Sequence, residues 1–375
     1  MPKILYVATV VKTHIMEFHI PYLKMLKEMG WETAVAARND FDDPADCVIP
    51  YCDTYYDIRF ERNPIKPGNI KAYRELKRII DTENFDIIHC HTPVGAMLAR
   101  LAAQDARKKG SKVFYTAHGF HFYKGAPLIY WLLFYPGEKW LARKTDVLVT
   151  VAKEDYQMAQ RFKAGHIEYT PGMGIDLDRF KKGSPEKAAE LRANLGIPQD
   201  AVVWLNVGEV NKNKNHKAII EALPDFPKNT WFVLCGRGPL LEEHRKLAES
   251  LGVSDRVILT GYRTDVVDFY SIADVFVFPS IREGLPVALM EAMAAEVVCV
   301  ASRNRGTNDL LEDSKLRFDA LNIREMKEKI RIAMTTDCTE EIVRNKNHLS
   351  EFDLKNTLSL MKGLYERELN RKRED

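Results

Sequence analysis

The chain has 375 residues, of which 46% are hydrophobic and 29% are charged, and its formal net charge is +2. This composition is ordinary for a soluble globular protein, and the length suits two domains. A net charge so close to zero argues against nucleic acid as a partner.

The first half of the chain alternates short apolar strands with helices. Strands are predicted at residues 4–7, 32–37, 86–90, 112–116 and 147–151. Helices are predicted at residues 16–29, 69–82, 95–109 and 128–144. Alternation of this kind, with buried strands, predicts a parallel, doubly wound α/β sheet.

The turn after the first strand carries two histidines, His14 and His19. It has no Gly-x-Gly-x-x-Gly run, which argues against a dinucleotide site there. Ligands of open α/β sheets bind at the carboxyl ends of the strands, where this turn lies. The two histidines are interpreted either as ordinary turn residues or as residues that contact a substrate.

Two later strands also end in histidines, in His89-Cys-His91 and in Ala117-His-Gly-Phe-His121. His-x-His spacing is compatible with a metal site, but the carboxylates expected nearby are missing, so we expect no metal. The remaining alternatives are residues that line a cleft and residues that pack in the core. His118 is the best candidate for the cleft, because Gly119 permits a tight turn.

Residues 126–135 are rich in aromatic side chains, and two interpretations stay open. The segment is either a buried helix or an apolar surface that meets a membrane or a lipid-linked substrate. It is too short to span a bilayer. We find no signal peptide and no Cys-x-x-Cys pair among the six cysteines, and we expect a cytoplasmic protein.

A second set of strands begins after an irregular, Gly-containing linker at 170–185. Strands are predicted at residues 202–207, 231–235, 257–263, 275–278 and 297–301. Gly208 ends the first of these, and Lys214 stands before the next helix. A lysine beside a helix N-terminus is a plausible site for an anion.

The most informative stretch is the turn at 279–286 and the helix predicted at 287–295. Glu283 lies in the turn, and Glu291 lies in the middle of an otherwise apolar helix. A carboxylate there is costly unless it has a partner or faces a cleft. We interpret the two as a pair that holds a polyhydroxylated, anionic ligand; alternatively, one caps the helix and the other pairs with an arginine.

Several motifs together resemble one known family. They are Thr116-Ala-His-Gly119, Asp146, Pro171-Gly-Met-Gly-Ile-Asp176, Val207-Gly208 with Lys214, Gly236-Arg-Gly-Pro239, Gly261-Tyr-Arg263, and Phe278-Pro-Ser-Ile-Arg-Glu-Gly-Leu-Pro286 with Glu291-Ala-Met293. The chain resembles the retaining glycosyltransferases of the family 4 type over nearly its whole length. The 211–216 run is similar to members that build capsular polysaccharide or exopolysaccharide.

The resemblance implies a GT-B fold, with two doubly wound, Rossmann-like α/β domains facing a central cleft. Residues 1–180 would bind the acceptor, and residues 181–352 would bind the nucleotide-sugar donor. The helix at 353–375 would pack back on the first domain. The family needs no metal or other cofactor, so none is expected.

The resemblance also implies roles for individual residues. Glu283 would bind hydroxyls of the donor sugar, Glu291 would bind the ribose, and Lys214 would neutralise the diphosphate. His118 would reach the sugar from the first domain. The other donor-binding residues would be Gly208, Gly236, Arg263, Gly284 and Leu285, and those on the acceptor side would be His14, His19 and His121.

The chain departs from the family pattern at two positions. Glu209 replaces an arginine that usually follows Gly208, so one phosphate cation is missing, for which Lys212 is the available substitute. Glu296 replaces a glycine at the end of a helix. If that position is left-handed, the substitution costs roughly 1 kcal/mol.

We therefore expect a retaining transferase that moves a hexose or N-acetylhexosamine from a UDP-sugar to a growing glycan. The expected acceptor is a glycan or a polyprenyl-diphosphate-linked glycan, and contact with the membrane surface is a further expectation. Two alternatives remain, a UDP-sugar 2-epimerase of the same architecture and a non-catalytic subunit that binds nucleotide sugars.

Overall fold

The computed structural model describes residues 1–181 and 183–374. It divides into two compact units. The first comprises Met1–Gly174 together with the C-terminal residues from Lys355, and the second comprises Ile175–Leu354. The sequence had placed the domain boundary between residues 180 and 181.

The first unit is built on a seven-stranded parallel sheet in the order β3-β2-β1-β4-β5-β6-β7. The strands are β1 (Lys3–Val10), β2 (Glu32–Arg38), β3 (Thr54–Asp57), β4 (Ile87–Cys90), β5 (Lys112–Ala117), β6 (Val147–Thr150) and β7 (His166–Tyr169). The order of the strands reverses between β1 and β4. In doubly wound sheets, a crevice for ligands opens at such a switch point, at the carboxyl ends of the strands.

Helices pack against this sheet, and its side chains are buried on both faces. The helices are a π-helical turn (Val11–Ile15), α1 (Met16–Phe18), α2 (Ile20–Glu28), a 3₁₀ turn (Pro44–Asp46), α3 (Gly68–Glu83), α4 (Pro93–Ala102), α5 (Gln104–Lys108), α6 (Leu128–Ala142) and α7 (Lys153–Ala159). The single helix predicted at 16–29 is interrupted at His19. Pro21 stands in the first turn of α2, where a residue without an N–H is tolerated.

The aromatic helix α6 fits neither of its two interpretations completely. Trp131, Phe134 and Tyr135 pack against the core of the first unit. Leu128 and Leu133, in contrast, are 74% and 63% exposed. The helix is apolar nearly all round, so its sequence alone could not show which side faces solvent.

The second unit is built on a six-stranded parallel sheet in the order β10-β9-β8-β11-β12-β13. Its strands are β8 (Val202–Val207), β9 (Thr230–Cys235), β10 (Val257–Gly261), β11 (Val275–Phe278), β12 (Val298–Ser302) and β13 (Arg317–Phe318). The order of these strands reverses between β8 and β11. The two parallel sheets confirm the predicted α/β fold class.

The helices of the second unit again cover both faces. They are α8 (Pro185–Asn194), α9 (His216–Ala222), α10 (Leu241–Ser250), α11 (Val266–Ile272), α12 (Val287–Ala294), α13 (Arg305–Leu310), α14 (Ile323–Thr335) and α15 (Thr339–His348), with 3₁₀ turns at Leu223–Asp225, Ser254–Arg256 and Leu349–Phe352. The last helix, α16 (Leu354–Glu374), returns to the first unit, where Tyr365 bonds Tyr6 at 2.7 Å. Within the described ranges, no helix is both long and apolar enough to cross a bilayer.

Glu296 adopts the left-handed conformation, as the sequence analysis had considered. Its φ is +61°, just beyond the end of α12. A side chain in this region costs roughly 1 kcal/mol relative to glycine. The Glu296 carboxylate pairs with Lys346 at 2.5 Å, but the Lys346 and Glu296 side chains are 55% and 37% exposed, so this pair offsets little of the cost.

Candidate functional site

The turn at 279–286 lies at the carboxyl end of β11, beside the switch point of the second sheet. Here the structure brings together two residues that the sequence had singled out separately. Lys214 Nζ lies 2.8 Å from Glu283 Oε1, and the side chains are only 20% and 14% exposed. The ammonium group also lies 5.2 Å from the centre of the Phe278 ring. The pair therefore sits in a partly desolvated position at the edge where ligands bind.

Two hydrogen bonds connect the loop that carries Lys214 to the turn. The Ile281 N–H donates to the carbonyl of Asn213, and the Asn213 side-chain amide donates to the carbonyl of Arg282, both at 2.8 Å. Asn215, with φ +53°, takes the left-handed conformation that starts α9. These contacts fix the lysine opposite the glutamate.

The start of α13 packs closely against the turn. A Cβ on Gly306 would lie 2.0 Å from the carbonyl oxygen of Gly284 and 2.9 Å from Leu285 Cα. The neighbouring Arg305 donates from Nε to the carbonyl of Glu283 at 3.1 Å. Only glycine permits the two backbones to approach this closely.

Gly306 was not among the residues predicted for this site. A signal was present, because Asn304 follows a strand and is a favourable helix N-cap. In the structure, the Asn304 side chain accepts from the Thr307 N–H at 3.1 Å and donates to the carbonyl of Ser280 at 3.2 Å. An Asn-x-Gly at a strand-to-helix junction could have pointed to a tightly packed turn.

Glu291 projects from α12, the helix that follows the turn. Its Oε2 atom lies 2.8 Å from the hydroxyl of Tyr270, a residue of α11 that is buried. Burial and the Glu291 carboxylate raise the pKa of Tyr270 well above its usual range. The phenol thus stays protonated and donates to an acceptor that is held in a defined position. The sequence did not reveal this partner.

Gly208 and Gly236 mark where two neighbouring strands, β8 and β9, come to their ends. A Cβ on Gly236 would lie 1.8 Å from the Gly208 carbonyl oxygen, so glycine is required for this approach. A Cβ on Gly208 would lie 3.5 Å from Lys214 Cε. Gly208 therefore adjoins the lysine side chain.

Arg263 is exposed and pairs with a neighbour in sequence. Its Nε atom donates to Asp265 Oδ1 at 2.8 Å, and the guanidinium lies 5.2 Å from the centre of the Phe269 ring. The Asp265 carboxylate raises the pKa of Arg263 further, so the side chain is a permanent cation. The structure does not bring Arg263 into contact with Glu283 or Lys214.

In the first unit, four histidines gather at the carboxyl edge of the sheet. His14 Nε2 lies 3.2 Å from His19 Nε2, and His118 Nε2 lies 3.3 Å from His91 Nδ1. Burial lowers the pKa of His118 to about 4 and those of His14, His19 and His91 well below the usual value. His121 is outside this group and stacks on Phe134, with ring centres 4.7 Å apart.

Two family models match the chain, one in each half. The model described as "Glycosyl transferase 4-like" matches residues 3–152, and "Glycosyl transferases group 1" matches residues 187–348. The second match includes Lys214, Glu283 and Glu291.

Curated relatives cover most of the chain. The chain is 43% identical over 321 residues to "Putative glycosyltransferase EpsD" of Bacillus subtilis (strain 168), and the match covers 84% of this chain and 82% of that protein. It is 27% identical over 310 residues to "UDP-Gal:alpha-D-GlcNAc-diphosphoundecaprenol alpha-1,3-galactosyltransferase" of Escherichia coli, covering 76% and 78% of the two chains.

Solved structures share the fold over nearly the full length. Anabaena HepE in complex with UDP and glucose superposes with a TM-score of 0.79 at 17% identity, covering 98% of this chain and 100% of that one. Sucrose-phosphate synthase from Thermosynechococcus elongatus gives a TM-score of 0.78 at 19% identity, covering 98% and 99%. Identities this low establish the fold alone, and the fold is the predicted GT-B architecture.

Proposed function

Because this chain belongs to the group 1, family 4 type glycosyltransferases, we propose that it transfers a hexose or N-acetylhexosamine from a UDP-sugar to a growing glycan. The anomeric configuration is retained, and the product enters a surface polysaccharide, either capsule or exopolysaccharide. The observation that carries the proposal is the 2.8 Å pair of Lys214 and Glu283 at the strand ends of the second unit.

The charges around this pair suit the two ends of a nucleotide sugar. Lys214, together with the N–H groups of Gly284, Leu285 and the start of α12, can receive a diphosphate. The carboxylates of Glu283 and Glu291 can accept hydrogen bonds from sugar and ribose hydroxyls. No metal is needed at the diphosphate in this scheme, since lysine and the helix N-terminus supply the positive charge.

The names of relatives support a uridine donor. The Escherichia coli relative is named for UDP-Gal as donor and a diphosphoundecaprenol-linked acceptor, and the Anabaena structure holds UDP and glucose. A relative from Mycobacterium tuberculosis is instead named as GDP-mannose-dependent, which makes GDP-mannose the donor to test against.

In the proposed reaction, the bond between the anomeric carbon and the diphosphate oxygen breaks on the front face of the sugar. The acceptor oxygen bonds to the same carbon from that face. Its proton passes to the departing phosphate oxygen, so UDP leaves as the second product. The protein contributes orientation and stabilisation of the developing negative charge, without a covalent intermediate. The contact of His118 with the sugar stays a prediction.

A panel of nucleotide sugars tests the donor class. We expect UDP-hexoses or UDP-N-acetylhexosamines to raise the melting temperature of the protein, because a ligand that binds only the folded state stabilises it. We expect GDP-mannose to leave it unchanged. The bound donor should then release UDP only when a lipid-linked glycan acceptor is added.

Three outcomes would contradict this function. Stabilisation by GDP-mannose alone would exclude the uridine donor. Proton NMR that shows a UDP-sugar epimerising without an acceptor would identify a 2-epimerase. A protein that binds UDP-sugars but releases no UDP with any glycan acceptor would be a binding subunit.

We further propose that α6 contacts the inner surface of the membrane, where a polyprenyl-diphosphate-linked acceptor would lie. The helix exposes large apolar side chains beside basic ones. They are Leu128, Ile129, Leu132, Leu133 and Trp140, with Lys139 and, directly after the helix, Arg143. An apolar face flanked by cations suits a bilayer with anionic headgroups. The protein would then be cytoplasmic and peripheral.

Flotation with phosphatidylglycerol liposomes tests this contact. We expect the wild-type protein to float with the liposomes and the double variant Leu132→Glu, Leu133→Glu to remain below, because two charges enter the apolar face. Leu321→Glu is the matched control, since Leu321 is 80% exposed in the second unit. A wild-type protein that stays wholly in the soluble fraction would refute the contact.

A further inference from the structure

We propose that His14, His19, His91 and His118 together bind one divalent transition-metal ion of the zinc class. One ring nitrogen from each of the four lies within 4.8 Å of the others. The fold, rather than the sequence spacing, assembles this group. His14 lies in the π-helical turn after β1, His19 precedes α2, His91 follows β4 and His118 follows β5.

The spacing of the nitrogens is close to that of a tetrahedral site. Four nitrogens bound to zinc at about 2.0–2.1 Å lie about 3.3–3.4 Å from one another. Two of the pairs, His14–His19 and His91–His118, already stand 3.2 and 3.3 Å apart. The remaining separations are at most 4.8 Å, so the rings would have to turn inward to complete a tetrahedral site.

The chemical state of the four imidazoles suits coordination. Burial and the neighbouring imidazoles lower the pKa of His19 and His91 far enough to keep both rings neutral, which leaves a lone pair for a metal. All-nitrogen sites favour zinc, copper, nickel or cobalt over magnesium or calcium.

The backbone at His14 gives a second indication. His14 lies in a π-helical turn, and such turns occur frequently at functional sites.

A fifth histidine, His89, supports the group without belonging to it. Its Nδ1 lies 2.6 Å from the Tyr365 hydroxyl, and its Nε2 lies 2.8 Å from Thr116 Oγ1. Both nitrogens are therefore engaged. Its ring lies 4.2 Å from that of His91 and limits how far His91 can turn.

The lack of carboxylates near the His-x-His motif argued against a metal when the sequence alone was considered. The structure replaces them with histidines from two other segments. Within the described part of the chain, the group contains no carboxylate, so a bound Zn²⁺ keeps its double charge and attracts an anion.

The test uses the full chain, purified without a polyhistidine tag, stripped with EDTA and loaded with ZnSO₄. After gel filtration we expect one equivalent of zinc, measured by elemental analysis. Co²⁺ in place of Zn²⁺ should give the visible absorption bands of a tetrahedral nitrogen site. Zinc should also raise the melting temperature of the stripped protein.

His19→Gln and His118→Asn should lose both the bound zinc and the rise in melting temperature. His118 is the more exposed of the two and serves if His19→Gln does not fold. His244→Gln should retain one equivalent, because His244 is a buried histidine of the second unit. Folded wild-type protein that retains less than about a tenth of an equivalent would overturn the site, as would equal binding by His118→Asn. These readouts need no sugar transfer, so they stand apart from the test of the proposed function.

Discussion

Glu283→Gln is expected to lower the rate of sugar transfer about 100-fold while the dissociation constant for UDP changes little. Glutamine keeps the shape of the side chain but removes the charge that accepts hydroxyl hydrogen bonds and balances Lys214, 2.8 Å away. A hydrogen bond to a charged group contributes about 1.5–3 kcal/mol, and about 1.4 kcal/mol corresponds to a tenfold change in rate. UDP itself lacks the sugar that Glu283 would hold.

The measurement pairs steady-state UDP release in the presence of acceptor with calorimetric titration of UDP. Glu242→Gln is the matched control, since it removes a carboxylate that is 72% exposed in the same unit. Its activity should equal that of the wild type. Melting curves of both variants show whether the lost charge has affected folding. Full turnover in Glu283→Gln would remove this residue from the mechanism.

The sequence predicted the individual residues of this site better than their contacts. Lys214 was singled out as a cation before a helix, and Glu283 as an acid in a turn. Their pairing depends on β8 and β11 being neighbours in the sheet, although Lys214 and Glu283 are 69 positions apart along the chain. Strand periodicity does not specify that adjacency, whereas the family resemblance placed both residues at the donor.

Contacts between side chains were the least predictable part of the site. Nothing in the sequence pattern linked Tyr270 to Glu291, because both lie in apolar helices whose rotation about their axes is set by packing. The histidines of the first unit show the same limit. All four histidines were placed at the carboxyl ends of strands, but their convergence follows from the π-helical turn and from the order of β1, β4 and β5.

The backbone contact of Gly306 was also not predictable from the sequence pattern. Its neighbour across the contact, Gly284, lies in a different strand-to-helix connection, and the two connections meet because β11 and β12 are paired. The Gly284 carbonyl oxygen would lie 2.0 Å from an added Cβ, and the Gly284 carbonyl carbon would lie 2.7 Å from it. Both atoms belong to the backbone, so an added Cβ on Gly306 fits only if the turn that carries Glu283 moves.

Gly306→Ala is therefore expected to reduce sugar transfer about 100-fold, because small displacements of catalytic groups have effects of that size. It should also lower the free energy of unfolding by about 1–3 kcal/mol, as is usual for overpacking. Gly363→Ala is the control. Gly363 lies on the exposed side of α16 with no described atom within 4 Å of its added Cβ, and the change should stabilise the helix by about 0.5–1 kcal/mol. Assays of sugar transfer and urea denaturation curves of the two variants test both expectations. If Gly306→Ala matched the wild type in both, the close contact between α13 and the turn would not determine the position of Glu283.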